Sequence, residues 1–316
     1  MDRVAQLLGS CYGLVVERVE PAPRGWTGET YVATTRDGAR VFVKVYPKDR
    51  LPPSAAPGLP VLAELHQLGL TRVSRPILST CGAFHERLGD DLVVVFEHLD
   101  AAPLAFQFGG NWLGDLIARV HQQTERITSP IARETLEPPY AEALWLTLAR
   151  AHREPASDEP RQGLRRFLEE HATAIADDWV AFGEVARVCR AASFELVLTH
   201  GDWPFNLLQG ADGTLYLIDW DELLLAPPER DTWFAAGEPA FWRSYRARRG
   251  GYAENPLAAA YYVHNRYFEE LLGCAREILG DSTAEHRARA LALLGSEWMV
   301  GLRARIGQAR ARAQGG

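Results

Sequence analysis

Two aspartates, Asp202 and Asp219, stand seventeen positions apart, each after a short apolar run (residues 196–198 and 215–218), with Asn206 between them. Phosphoryl transfer uses such a set. One carboxylate orients and deprotonates an incoming hydroxyl, while a second carboxylate and an amide oxygen hold the Mg2+ that neutralises charge building on the phosphate. Hard Mg2+ accepts one or two carboxylates with phosphate and water, so Asp219 with Asn206 suffices as a protein ligand set. Asp221 is a second acidic candidate beside Asp219, and an ordinary hydrogen-bonding carboxylate is the alternative reading of it. For Asp202 the alternative is a turn cap.

A cation is needed opposite these carboxylates. Lys44 sits mid-strand in V-F-V-K, on the face opposite Val41, Val43 and Val45, and an inward lysine on a strand needs a partner; otherwise it is an edge lysine that blunts aggregation. Upstream, P-R-G-W-T-G-E-T carries Gly25 and Gly28, which permit close backbone approach to an anion. The segment matches neither G-x-x-x-x-G-K-[ST] nor G-x-G-x-x-G, so a plain hairpin turn is the competing reading.

The elements that must position these groups fall into two kinds. The first hundred residues read as β-rich: residues 30–35 and 40–46 flank Asp37-Gly38, which suits a tight hairpin. Residues 51–60 read as a Pro- and Ala-rich loop, 61–68 as a short helix ended by Gly69, and the stretch around Gly82 and Gly89 as a second hairpin before a strand at 92–96. That makes about five strands and one helix. After Asp100 the apolar spacing turns helical at Trp112, Leu113, Leu116, Ile117 and Val120 and again at Leu164, Phe167, Leu168, Ala172 and Ile175. Further helices are expected at 141–152, 240–248, 256–279 and 283–311. The strands bearing Asp202 and Asp219 are expected to form the one strand pair of the helical part. Asp231 is expected to cap the helix after it.

Composition bounds the partners. With 47% hydrophobic and 24% charged residues the chain is of ordinary globular make-up. It shows no apolar run long enough to span a bilayer and no signal-like N-terminus, so a cytoplasmic protein without a membrane partner is expected. A net charge of -7 argues against nucleic acid and suits a cationic ligand. The four cysteines are widely spaced, which suggests reduced, mostly buried thiols.

Taken together, H-G-D, I-D-W-D-E, V-F-V-K, L-G-D-L-I-A-R-V-H and P-P-E-R-D resemble the aminoglycoside phosphotransferase family of the protein-kinase-like superfamily, most closely its spectinomycin phosphotransferase branch. The resemblance implies an α+β, protein-kinase-like two-lobe fold. Residues 1–98 would form a small β-rich nucleotide-binding lobe with one helix, and 99–316 a large, mainly helical catalytic and substrate-binding lobe. It implies ATP and Mg2+ as cofactors, Asp202 as the catalytic base and Asn206 and Asp219 as metal ligands. Lys44 would reach the nucleotide phosphates with Glu64 as its helix partner, Gly25 and Gly28 would cover the phosphates, and Phe42, Glu97 and Leu99 would line the adenine site. The chain departs from the family in having three residues, rather than four, between Asp202 and Asn206; the missing residue could shift the amide by roughly 3.5 Å.

The implied reaction is phosphorylation of a hydroxyl on a cationic small molecule such as an aminocyclitol or aminoglycoside antibiotic. Asp221, Glu222 and Glu238 are acidic candidates for binding it, Trp203 an aromatic one, and Arg266 with His264 further candidates. Trp220, Trp233, Trp242, Tyr261 and Tyr262 also follow the catalytic segment. Two other readings share the same residues: a kinase of a small metabolite of the choline, homoserine, methylthioribose or ketosamine type, and a catalytically inactive nucleotide-binding protein. Oligomeric state is not readable from the sequence.

Overall fold

The computed structural model describes residues 2–22, 28–104, 111–138 and 140–314. Its contacts group the chain into two compact units, Met1–Glu134 with Leu196–Tyr252, and Thr135–Glu195 with Ala253–Gly316. The lobe boundary expected at residue 98 falls inside the first unit.

In the first unit β1 (Val16–Pro21), β2 (Glu29–Thr35), β3 (Arg40–Tyr46), β4 (Glu86–Leu88) and β5 (Asp91–Glu97) form an antiparallel sheet in the order β1-β2-β3-β5-β4. Alternation along β3 sends Val41, Val43 and Val45 to one face, where they meet Val93 and Val95 and the side chains of Val4, Leu7, Leu8 and Tyr12. Each such aliphatic side chain stabilises the fold by about 1.5–3 kcal/mol. The other face of β3 is therefore left to Phe42, Lys44 and Tyr46, with Phe42 opposite Phe96 and Lys44 opposite Val94.

Two helices, not one, accompany the sheet. The helix α1 (Asp2–Tyr12) presents Val4, Leu7 and Leu8 at i, i+3, i+4 spacing. The second, α2 (Ala55–Gln67), starts six residues before the expected helix and keeps Pro60 inside it. Pro57 lies in the first turn, where a missing N–H loses nothing, and Pro60 removes one intrahelical bond. Burial of Ala55, Leu59, Leu62 and Leu65 on one stripe offsets that loss.

The remainder of this unit carries β6 (Ala101–Pro103), α3 (Asn111–Gln122), β7 (Val197–Thr199), β8 (Leu207–Gly210), β9 (Leu215–Leu217), β10 (Leu224–Ala226), α6 (Glu229–Thr232) and α7 (Pro239–Arg248). Here the expected single strand pair is corrected. β7 pairs with β10, while β9 pairs with β8, which also pairs with β6. Asp202 and Asp219 thus follow strands of two different small sheets.

The second unit is helical among its described residues: α4 (Ala141–Arg153), α5 (Glu159–Ala191), α8 (Pro256–Leu279), α9 (Ala284–Leu294) and α10 (Glu297–Gln314). Asp158 caps α5 by accepting from the Arg161 N–H. Phe182 stacks on Phe268, against which Trp179 sets its edge. The expected continuous helix 283–311 is interrupted at Gly295 and Ser296. Cys189 and Cys274 are buried here, and burial pushes both thiols up to about 12. No helix among the described residues is long and apolar enough to cross a membrane.

Candidate active site

Lys44 ends in an acidic cluster. Its Nζ donates to Asp219 Oδ1 at 2.6 Å and to Asp221 Oδ2 at 2.7 Å, and the Tyr46 hydroxyl donates to Asp221 Oδ1 at 2.6 Å. The lysine and Asp221 are enclosed, with side chains 7% and 12% exposed, whereas Asp219 is 33% exposed. Burial works against the ammonium, but the two carboxylates outweigh it and hold the Lys44 pKa above its ordinary value. For Asp221 both burial and the neighbouring Asp219 charge push the carboxyl upward, more than Lys44 and Tyr46 pull it down. Asp219 also has φ +62, a left-handed conformation rare for a non-glycine residue. Backbone strain of this kind, of order 1–3 kcal/mol, persists where surrounding structure enforces it.

Asp202 is held by hydrogen bonds from the neighbouring loop. The segment Trp203–Phe205 is a single 3-10 turn with Pro204 near its start, and it folds Asn206 back so that Nδ2 donates to the Asp202 carbonyl at 2.9 Å and to Asp202 Oδ2 at 3.0 Å. The tight turn commits the amide nitrogen to Asp202, so the side-chain oxygen is the end Asn206 can offer a cation. The Asn206 backbone carbonyl accepts from the Ile218 N–H at 3.0 Å, which ties this loop to the residue before Asp219.

Two residues that sequence reasoning left without such a role fix the loop further. His200 Nδ1 accepts from the Asp202 N–H at 3.1 Å, so Nε2 carries the proton and donates to the Ile218 carbonyl at 2.9 Å. Burial lowers the His200 pKa more than Asp231 raises it, which keeps the ring neutral. Asp231 lies inside α6, not at a helix cap. Its carboxylate accepts from His200 N at 2.9 Å, Gly201 N at 2.7 Å and His121 Nε2 at 3.1 Å, and its carbonyl accepts from Trp203 Nε1 at 2.6 Å. Burial would raise its pKa, yet His121 and the Gly201 N–H hold it below the usual range. Gly201 has φ +88, and a Cβ there would collide with the Arg230 guanidinium, which donates to Thr199 Oγ1 at 3.0 Å and to Glu222 at 3.4 Å. The clue in the sequence was the Asp of P-P-E-R-D following H-G-D, but the long-range pairing is not encoded in local spacing.

The other candidates fall as follows. Glu64 is not Lys44's partner: its carboxylate accepts from the backbone N–H and hydroxyl groups of Thr128 and Ser129, at 2.5–3.1 Å. Its place is taken by Asp221, which is thereby sealed rather than presented to a substrate. Trp203 is fully buried, so it is core and not a substrate platform. Glu222 is half-exposed and paired with Arg230. Glu238 lines an open groove with Pro239, Trp242, Arg243 and Arg246, where two arginines leave the surroundings more basic than acidic. Arg266 lies in the second unit, paired with Glu270 at 2.9 Å, and His264 is buried there. Phe42 is half-buried beside Lys44, Glu97 is exposed and paired with Arg75 at 2.8 Å, and the Leu99 carbonyl accepts from Ala101 N. Gly28 packs so tightly on β3 that a Cβ would strike the Val45 carbonyl, while Gly25 lies outside the described residues.

A model of the phosphotransferase enzyme family matches residues 18–268. Among solved structures the chain is similar to spectinomycin phosphotransferase APH(9)-Ia in complex with ADP and spectinomycin, with a TM-score of 0.79 at 18% identity over 97% of this chain and 98% of that one. A microcompartment-associated aminopropanol kinase gives 0.62 at 17% identity over 99% and 98%. An amicoumacin kinase in complex with AMP-PNP and Ca2+ gives 0.60 at 14% over 96% and 92%. At these identities the likeness is one of fold. Comparison with curated proteins found no match.

Proposed function

We propose that this chain, which belongs to the phosphotransferase enzyme family, moves the γ-phosphoryl group of ATP to a hydroxyl of a cationic, polyhydroxylated small molecule of the aminocyclitol or aminoglycoside kind. The observation that carries the reading is the pairing of Lys44 with Asp219 across 175 residues, with Asp202 and Asn206 tied to the same segment through His200 and Ile218.

The donor set fits the cofactors. Asp219 and the Asn206 amide are hard oxygen donors, and no cluster of three or more His, Cys, Asp or Glu among the described residues could hold a metal alone. A cation here would therefore rely on phosphate oxygens and water as well, as Mg2+ does. When bound, Mg-ATP supplies the phosphoryl group and the charge neutralisation its transfer needs. Lys44, held charged by its two carboxylates, would offer its ammonium to a phosphate oxygen. Asp202 receives the hydrogen bond of the acceptor hydroxyl, aims its oxygen and takes its proton late, and Asn206 and His200 fix the angle from which it does so.

ADP release with Mg-ATP and a panel of aminocyclitols, aminoglycosides and small amino alcohols tests the proposal. Turnover is expected with a cationic cyclitol, and Asp202→Ala should lower it by about 10²–10⁴ with nucleotide affinity retained. Tight ATP binding without turnover of any acceptor would refute it.

A further inference from the structure

An ammonium that is to meet a phosphate has to be held in one place, and the helix carboxylate expected to hold Lys44 is engaged elsewhere. Glu64 is bound to Thr128 and Ser129. What surrounds Lys44 comes instead from its own strand and from the segment after Asp219. Tyr46 lies two positions along β3, on the same face, and is 1% exposed. Lys44 Nζ stands 4.8 Å from the centre of its ring, a cation–π distance. The Tyr46 hydroxyl donates to Asp221 Oδ1 at 2.6 Å, and Asp221 Oδ2 accepts from Lys44 Nζ at 2.7 Å. Ring, carboxylate and ammonium thus close a triangle.

The backbone of Asp221 is fixed as well. The Ser54 hydroxyl, at the start of α2, donates to the Asp221 carbonyl, and Leu223 N returns to the Trp220 carbonyl at 3.2 Å. A Cβ at Gly58 would already touch Leu223 and the Trp220 carbonyl at 3.8 Å, so α2 packs on this segment. The helix therefore acts on Lys44 through residues 220–223 and not through a glutamate of its own. The two carboxylates also differ in access, with side chains 12% exposed at Asp221 and 33% at Asp219. Asp219 is the one a cation can reach, and Asp221 is the one left to hold the lysine. An ammonium has three donors; two are bound to these carboxylates, and one remains for a phosphate oxygen.

We propose that Asp221 and Tyr46 are positioning residues of the phosphate-binding lysine, taking the part expected of a helix glutamate: Asp221 anchors the ammonium, while Tyr46 fixes Asp221 through its hydroxyl and the lysine through its ring. This rests on the phosphotransferase reading above. It adds that the cation ligand and the lysine anchor lie two positions apart on one segment. A lysine stem is flexible, and loosening either contact lets the ammonium spread over several positions, so that nucleotide binding has to order it. The effect belongs to the phosphates alone, since Lys44 has no part in holding the base.

The test is calorimetric titration of AMP-PNP with Mg2+ into the native protein, Tyr46→Phe, Asp221→Asn and Glu64→Gln, with adenosine measured by its displacement of AMP-PNP. Melting curves establish which variants are folded, and either of the first two suffices if the other is not. Tyr46→Phe keeps the ring and removes only the hydroxyl; it should weaken AMP-PNP by about fivefold, and Asp221→Asn by about tenfold, with adenosine within about twofold in both. Glu64→Gln should leave both ligands within about twofold. Unchanged AMP-PNP affinity in a folded Tyr46→Phe or Asp221→Asn, a loss that adenosine shares equally, or a larger loss in Glu64→Gln overturns the assignment and leaves the phosphotransferase reading standing. A native protein that binds neither ligand overturns that reading and the assignment with it.

Discussion

The surroundings of Lys44 and the underside of the 200–206 loop both hold aspartates in place, by opposite means. At Lys44 one buried ammonium is shared by two carboxylates, and the outer one, Asp219, stays partly open with a strained backbone. Beneath the loop, a single sealed carboxylate, Asp231, is surrounded by donors. The first arrangement has more negative charge than positive and leaves Asp219 partly open. The second has every acceptor engaged. Burial and partners shift an aspartate in both, upward at Asp221 and downward at Asp231, but only the fully satisfied cluster rigidifies the loop above it.

Four substitutions sharpen that contrast. Lys44→Met should have the largest effect, destabilising the fold by about 3–5 kcal/mol because Asp219 and Asp221 are left facing each other. Urea unfolding should show the deficit shrinking on acidification, since protonating Asp221 relieves the repulsion; a deficit independent of pH would contradict the cluster. Asp231→Asn should cost about 2–3 kcal/mol by weakening charge-assisted hydrogen bonds. The native Asp231 pKa is depressed, so its contribution is complete above the unfolded value of about 3.9 and is lost as pH falls through the lower native one. Unfolding midpoints of the two proteins should therefore converge in acid, and parallel curves would count against this role. Gly201→Ala should cost about 1–3 kcal/mol through its positive φ and the Arg230 contact, and turnover should fall with it. Smallest is Glu64→Ala, at about 1 kcal/mol from its lost hydrogen bonds, with turnover within twofold; a large fall in turnover would restore Glu64 to the nucleotide site.

The β3 hairpin was legible because alternation of Val41, Val43 and Val45 is a local signal, and the helical half because 3.6-residue spacing is one too. Helix α1 was overlooked, since its apolar stripe is short, and the start of α2 was hidden by prolines that the buried stripe tolerates. H-G-D and I-D-W-D-E drew attention to Asp202 and Asp219. What no local pattern could reveal was pairing across distance: Asp221 with Lys44 over 177 residues, Asp231 with His121 over 110, Glu64 with Ser129 over 65. Aromatic residues posed the same difficulty. Trp203 and Phe205 are two positions apart in one turn, yet one is enclosed and the other exposed.

One consequence concerns acid. The imidazole of His200 serves as a spacer of fixed length only while a single nitrogen is protonated, because a second proton would set Nδ1–H against the Asp202 amide hydrogen. Its pKa lies below the ordinary 6.5, so the spacer is insensitive to small drifts around neutrality. Further acidification charges the unfolded chain's histidine before the native one, draining stability. Once the enclosed ring itself takes up a proton, it no longer spans from the Asp202 amide to the Ile218 carbonyl, and the hold that sets these two segments at a fixed separation loosens.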